Sequence, residues 1–149
     1  MIAIVDAYDN PNAEADLAVY RVQCGLPSYT TANGYFKNVD QCGGTDYPQP
    51  SETWAGEVAL DRDMVSAAAP SAHILFVETD NASLDNLAAG VERAVALGAK
   101  YVSTRTAGWA TVPATWPPSA PPTTIPVSRW WRPGDNRYGG VPSRRRCRS

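Results

Sequence analysis

The chain has 149 residues, 44% of them hydrophobic, and a formal net charge of −2, which suits one domain with a sizeable core. No apolar run is long enough to cross a bilayer. The three cysteines show no metal-ligand spacing; a Cys24–Cys42 bridge stays open, although we expect idle thiols. Met1 leads directly into an apolar run without a basic leader or a cleavage site, so we expect no signal peptide here.

Charge and composition divide the chain near residue 102. Residues 1–102 have a net charge of −9, whereas residues 103–149 hold eight arginines and a single acid, Asp135. Eight of the 13 prolines and four of the five tryptophans also follow Ser103. We therefore predict two parts: a patterned domain portion over 1–102 and an irregular Pro/Arg/Trp-rich tail over 103–149.

The first half of the patterned part predicts a strand, a helix and a second strand. The run Ile2–Ala7 is typical of a buried parallel strand. Ala13–Cys24 has an apolar stripe at helical spacing and stops at Gly25. Loop signals dominate residues 25–51, and a short strand is expected over Tyr35–Val39, after a tight Asn33-Gly34 turn.

The second half continues the alternation. A helix is predicted over Trp54–Pro70, a buried strand over His73–Glu78, a helix capped by Ser83 and ending near Leu97, and a strand from Tyr101. This order indicates an α/β fold with an open, mainly parallel sheet, flanking helices and right-handed crossovers. Function in such sheets collects at the carboxyl ends of strands, where Asp6, Glu78 and Ser103 are expected.

The Trp54–Pro70 helix holds the most informative residue pair. Glu57 and Asp61 are four residues apart, so both carboxylates project from one face. If the pair is partly buried, one carboxyl is favoured to retain its proton, and such a pair can perform acid–base chemistry. The alternative is a solvated acidic face, which the nearby Asp63 favours.

Segments across the first hundred residues resemble the opening of the catalytic domain in the sedolisin family, the serine-carboxyl peptidases with a subtilisin-like fold. The resemblance covers the following stretches: IAIVDAYDNPNAEADLAVYR (Ile2 to Arg21), GLPSYTTANGYFKNV (Gly25 to Val39), GGTDYP (Gly43 to Pro48), the helix with Glu57 and Asp61, AHILFVE (Ala72 to Glu78) and LGAKYVS (Leu97 to Ser103).

The resemblance implies a triad of Glu, Asp and Ser with an additional Asp at the oxyanion hole. Glu57 and Asp61 match the family's Glu-x-x-x-Asp spacing. Glu57 is then the general base toward the serine, and Asp61 orients it. In PGDNRYGG (Pro133 to Gly140), Asp135 is similar to the oxyanion-hole acid, which would donate a hydrogen bond when protonated.

Other implications concern what this chain lacks. The family's nucleophile lies in a Gly-Thr-Ser context past residue 149, and so does its calcium site, so we expect no cofactor here and an inactive fragment. Family members often have cysteine pairs near Tyr29 and Tyr35 and near Ala69 and Ala72, where this chain has none. After the third strand, Ser103-Thr104-Arg105-Thr106 departs from the family's Ser-Asn-Ser.

Two further residues are assigned structural roles. Asp6 ends the first strand, where subtilisin has a triad acid, but that arrangement also needs a helix histidine, and Glu57 stands at that position. We interpret Asp6 as structural, with a site role as the alternative. His73, the single histidine, opens an apolar strand, where a hydrogen-bonded structural histidine is expected.

Two function classes compete with a peptidase fragment. One is a non-catalytic α/β binding module that holds a metal ion through Asp6 and Asp9. The other is a nucleic-acid-associated protein driven by the basic tail, although we do not expect nucleic acid or a membrane as the partner. A peptide or protein substrate is expected if the catalytic domain is completed. We interpret the tail as an out-of-frame continuation, a disordered basic arm or a linker. The family resemblance suggests that the protein is secreted.

Overall fold

The computed structural model describes residues 1–104. Its elements, in chain order, are β1 (Ile2–Ala7), α1 (Ala13–Gln23), β2 (Phe36–Asp40), α2 (Glu52–Ala68), β3 (Ile74–Thr79), α3 (Leu84–Ala96) and β4 (Tyr101–Thr104).

All seven predicted elements are present, with ends that differ by one or two residues. The apolar runs of β1 and β3 are buried along almost their whole length. Ser83 caps α3, because its hydroxyl accepts a hydrogen bond from the Asn86 backbone N–H at 3.3 Å. Gly98 follows α3 with φ of +90°, a conformation that suits glycine after a helix. α2 begins at Glu52, earlier than predicted, and β4 extends to Thr104, past the compositional boundary at 102.

The four strands form one parallel sheet in the order β2-β3-β1-β4. This confirms the predicted α/β class with a parallel sheet and flanking helices. In the register, Glu78 lies between Asp6 on β1 and Asp40 on β2. Since register partners on parallel strands project from the same face, these three acids share one face at the carboxyl edge of the sheet.

Each face of the sheet has its own core. On the α1/α2 face, Ile4 and Phe76 pack with Leu17 of α1 and Val58 of α2. The opposite α3 face joins residues of β1, β2 and β3 to α3, listed together: Ala3, Val5, Val39, Leu75, Val77, Leu87 and Ala94. Helices therefore cover both faces, and the acids at the carboxyl edge lie on the α1/α2 face.

The crossover through α2 has the opposite hand to the other two. Between β1 and β2 the chain moves one way along the sheet with α1 on one face, and between β3 and β4 it moves the other way with α3 on the other face. These two connections share a hand. The β2–α2–β3 connection runs along the sheet in the same direction as the β3–α3–β4 connection, but α2 lies on the same face as α1. The expectation of right-handed crossovers throughout is therefore wrong for this connection.

The long connection over residues 41–51 explains how α2 reaches that face. The Asp40 carboxylate accepts hydrogen bonds from the backbone N–H groups of Cys42, Gly44 and Asp46 at 2.7, 2.9 and 2.8 Å. Further along, the carbonyl of Gln49 accepts a bond from the Asp9 N–H at 3.3 Å. The segment is thus held along the carboxyl edge and delivers the start of α2 next to β1.

A stack of side chains closes the opposite, amino end of the sheet. The Tyr29 and Tyr35 rings stack with centroids 4.8 Å apart, and the His73 ring stacks on Tyr35 at 4.5 Å. His73 Nδ1 also lies 3.0 Å from the Gly34 carbonyl oxygen. This confirms a structural role for His73. The stacked rings of Tyr29 and Tyr35 therefore connect one of the two pairs of positions near which the family resemblance implies cysteines.

Cys24 is an exposed free thiol. The Cys24–Cys42 bridge that the sequence left open therefore does not form. Cys42 is disulfide-bonded, so the expectation of idle thiols is wrong for that residue. Within residues 1–104, none of the helices combines the length and the apolar character that a membrane span needs.

Candidate functional site

The candidate site lies at the carboxyl edge, where the loop after β1 meets the first turns of α2. Tyr8 has φ of 68°, an uncommon and strained conformation for a bulky residue. Its backbone N–H donates to the Thr79 carbonyl at 2.8 Å. The Tyr8 and Trp54 ring centroids are 6.1 Å apart. These contacts hold the N-terminal end of α2 against the loop that follows β1.

Glu57 and Asp61 lie on α2, one turn apart, and both side chains are half-buried. One carboxylate oxygen of Glu57, Oε2, is shielded from solvent. The two acids lie next to the helix stripe of Val58, Arg62 and Ser66, which is buried. Neither acid therefore belongs to a freely solvated face. Their catalytic roles stay predictions, and Asp135 lies outside the described residues.

Asp6 is fully buried at the end of β1, on the same sheet face that α2 covers. Ser103 projects from that face one strand away, because it is the register partner of Ile4. The structure therefore brings Asp6, Glu78 and Ser103 to one edge, as their positions at strand ends predict.

Arg62 is the residue at this helix whose importance the sequence did not reveal. It is fully buried, and within the described part of the chain none of its three guanidinium nitrogens has a hydrogen-bond partner. Burial lowers the pKa of Arg62, while the charges of Asp63, Asp16 and Asp6 raise it. A buried cation without hydrogen bonds is costly. Val58, Arg62 and Ser66 form the buried stripe of α2. Their spacing of four residues is the sequence signal from which the burial of Arg62 could have been predicted.

Arg21 on α1 provides the contrast. It is also fully buried, but its nitrogens donate to Ser66 Oγ at 2.7 Å, to the Pro70 carbonyl at 3.0 Å and to the Pro27 carbonyl. Its guanidinium carbon lies 3.5 Å from the ring centroid of Tyr29. Two neighbouring helices thus each bury one arginine, and among residues 1–104 only the one on α1 finds hydrogen-bond acceptors.

A second carboxyl pair, Asp9 and Glu78, was also missed. Glu78 is fully buried at the end of β3. The Asp9 carboxylate lies close enough for its charge to act on Glu78. Burial raises the pKa of Glu78 to about 8, and the neighbouring Asp9 charge adds to the increase. Glu78 is therefore largely protonated at neutral pH.

Two amide groups complete the surroundings of this pair. Glu78 Oε1 accepts hydrogen bonds from the Asn10 backbone N–H at 3.3 Å and from Asn38 Nδ2 at 3.1 Å. The Tyr47 hydroxyl donates to the Asn38 carbonyl at 3.3 Å. Burial raises the pKa of Tyr47, and nearby carboxylates including Glu78 add to the effect. The group therefore joins β3 to β2 and to the loops that follow β1 and β2.

Within residues 1–104, no cluster of three or more His, Cys, Asp or Glu side chains is arranged to hold a metal ion. The arrangement that the described residues do provide is acidic: two carboxyl pairs, on α2 and at the end of β3, beside a buried aspartate. Chemically it is suited to accepting and holding protons.

Comparison with known proteins identifies no relative, since no protein-family model, no curated protein and no solved structure matches the chain.

Proposed function

We propose that the chain is the N-terminal portion of a serine-carboxyl endopeptidase catalytic domain with a subtilisin-like fold. The observation on which the proposal depends is the half-buried Glu57–Asp61 pair on α2, in register with the sedolisin motif. The placement of α2 over the carboxyl edge, beside buried Asp6, supports it, because catalytic groups of open parallel sheets collect at that edge. The family assignment itself rests on the sequence motifs.

In this proposal Glu57 is the general base. It takes the proton from the hydroxyl of a serine as that oxygen attacks the scissile carbonyl carbon of a peptide substrate, and it later returns the proton to the leaving amine. Asp61 orients Glu57. A carboxylate base operates under acid conditions, where an imidazole would be charged and unable to accept a proton.

Asp135 and the serine complete the proposed mechanism. A protonated Asp135 would donate a hydrogen bond to the oxyanion that forms on the carbonyl oxygen. The serine is expected in sequence that follows residue 149, so the chain alone is expected to be inactive. The proposed substrate is a peptide or protein, and no cofactor is expected within these residues.

The test extends the chain with the residues that its gene encodes after codon 149. We expect a Gly-Thr-Ser motif in one of the three frames downstream of codon 149, and peptide hydrolysis at acid pH once that frame is joined to residue 149. In the joined chain, Glu57→Gln should reduce kcat about 10²- to 10⁴-fold, the usual contribution of a general base.

Asp63→Asn is the matched control, because Asp63 lies on the same helix but outside the stripe of Glu57 and Asp61. The activity of this variant should stay within a few-fold of the parent. Absence of the motif from all three frames, or full activity of Glu57→Gln, would refute the proposal. Turnover by the unextended chain that Glu57→Gln abolishes would instead place the nucleophile within residues 1–149.

A further inference from the structure

Cys42 is disulfide-bonded, and Cys24 is not its partner, because Cys24 is a free thiol. Their positions explain why. A helix between two parallel strands runs opposite to them, so Cys24, at the end of α1, lies at the amino edge of the sheet, whereas Cys42 follows β2 at the carboxyl edge. A disulfide needs Cα atoms within about 7 Å of each other. Cys147 is the remaining cysteine of the three in the chain.

We propose that Cys42 and Cys147 form a disulfide that holds the C-terminal basic segment, residues 144–149, against the acidic carboxyl edge of the sheet. Four of the six residues in this segment are arginines, which flank Cys147 on both sides. The proposal does not depend on peptidase activity.

The turn that contains Cys42 is fixed by hydrogen bonds within residues 40–44. The Cys42 backbone N–H donates to Asp40 Oδ1 at 2.7 Å. The Gly43 N–H donates to the Asp40 carbonyl at 2.9 Å, and the Asp40 N–H donates to the Gly44 carbonyl at 3.0 Å. Cys42 is half-buried, and β2 is an outer strand of the sheet. The turn therefore holds Cys42 where a segment can approach it from beyond the sheet.

The surroundings of this turn are acidic. The Asp46 backbone N–H donates to Asp40 Oδ2 at 2.8 Å, so both acids belong to the turn. Asp80, which follows β3, is joined to it through the bond from its N–H to Gln41 Oε1 at 3.2 Å. Arg93 of α3 reaches the same turn, which still leaves an excess of negative charge. A segment with four arginines complements that excess.

The start of the tail lies at the correct edge for this contact. The strands are parallel, so β4 ends at Thr104 on the same edge at which β2 ends. β2 and β4 are the two outer strands, three strand spacings apart, which is about 15 Å. Residues 105–146 separate Thr104 from Cys147, and an extended chain of that length spans more than about 100 Å. The connection can therefore reach Cys42 without any change in the sheet.

Formation of the bond joins the Sγ atoms of Cys42 and Cys147 and releases two protons. The two electrons pass to a disulfide oxidant such as oxidised glutathione, which becomes two thiols. Reduction reverses this exchange and frees the basic segment from the edge. Such a bond persists in an oxidising compartment, in agreement with the secreted protein that the family resemblance suggests.

The first measurement maps the bond in the full chain after oxidation by glutathione. Free thiols are blocked with iodoacetamide without reduction, and the chain is then cleaved with trypsin and analysed by mass spectrometry. We expect the peptide 38–62 to be linked to the dipeptide 147–148 in a monomeric chain, with Cys24 blocked. In Cys147→Ser, Cys42 should be blocked instead. A blocked Cys147 in the parent chain, or a bond between the Cys42 residues of two molecules, would overturn the proposal.

The second measurement tests whether charge holds the segment at the edge. In mixtures of oxidised and reduced glutathione, the equilibrium constant of the bond gives the effective concentration of Cys147 at Cys42. This value should fall about three- to tenfold when NaCl is raised from about 0.05 M to about 1 M, because salt screens exposed ion pairs. Combined Arg144→Gln, Arg145→Gln and Arg146→Gln should cause a similar fall at low salt.

The matched control removes the same number of charges from the tail outside the basic segment, by combined Arg129→Gln, Arg132→Gln and Arg137→Gln. Its effective concentration should stay within about twofold of the parent value. An equal fall in both triple variants, or a value that salt does not change, would show that the arginines beside Cys147 do not dock at the acidic edge.

Discussion

The two buried arginines allow one decisive comparison: Arg62→Met against Arg21→Met. Both guanidinium groups are fully buried on the α1/α2 face, and methionine fills irregular apolar space of similar length. Arg21 donates to three oxygen acceptors, and Arg62 has no hydrogen-bond partner within residues 1–104. The same substitution should therefore cost more stability at Arg21 than at Arg62.

The magnitudes follow from what each change leaves behind. Arg62→Met removes a desolvated charge, but it also removes the cation that acts on Asp63, Asp16 and Asp6. These two effects oppose each other, so the free energy of unfolding should change by less than about 1 kcal/mol. Arg21→Met removes the donor from Ser66 Oγ, which is buried, while the Pro70 carbonyl keeps the Tyr29 hydroxyl as a donor. Since a buried acceptor left unpaired costs about 1–3 kcal/mol, we expect that variant to lose about 1–3 kcal/mol.

Thermal and urea unfolding of the full chain, followed by far-UV circular dichroism at one pH, would measure both changes. A change of about 1 kcal/mol should shift Tm by about 4–8 °C for a folded portion of this size. If Arg62→Met destabilises the protein as much as Arg21→Met does, the Arg62 charge is compensated within the fold, and the account of this helix given above is wrong.

Three further changes test other parts of the structure by the same unfolding assays. The parent chain should lose stability as pH rises from 4.5 to 8, by at most about 5 kcal/mol, because the native state retains the Glu78 proton up to a pKa of about 8; Glu78→Gln should lack this loss, and an identical pH profile would contradict the assignment. Gly90→Ala should cost about 1–3 kcal/mol, because a Cβ there would lie 2.6 Å from side-chain carbons of Val5 and Thr79; Gly56→Ala, with open space around it, is the control and should gain up to about 1 kcal/mol. Ser83→Ala should cost about 1 kcal/mol through loss of the α3 cap, and no change would show that the cap bond is unimportant.

Local patterns predict most of this fold. The apolar runs of β1 and β3, the Ser83 cap and Gly98 each specify an element within a few residues of sequence, and the strand-end positions of Asp6 and Glu78 correctly place both acids at one edge. Periodicity fails at α2, where two of the three buried positions are Arg62 and Ser66. The contact of Asp9 with Glu78 joins residues 69 positions apart, and only the strand order brings them together.

The hand of the crossover through α2 could not be predicted either. It depends on the route of residues 41–51 along the sheet edge, which the Asp40 carboxylate fixes through three backbone N–H groups. The right-handed rule is a strong statistical preference, and this connection departs from it because the loop is long and held at both ends.

That reversed connection gives the chain a choice between two mirror-related routes during folding. If α2 took the common route, it would dock beside α3, and the acids of α2 would be separated from Asp6 by the full thickness of the sheet. Because Val58 is the sole apolar residue among the three fully buried positions of α2, its own contacts discriminate weakly between the two faces. The three hydrogen bonds of the Asp40 carboxylate therefore contribute more than local stability: they favour the face on which α2 lies and so keep its acids next to Asp6.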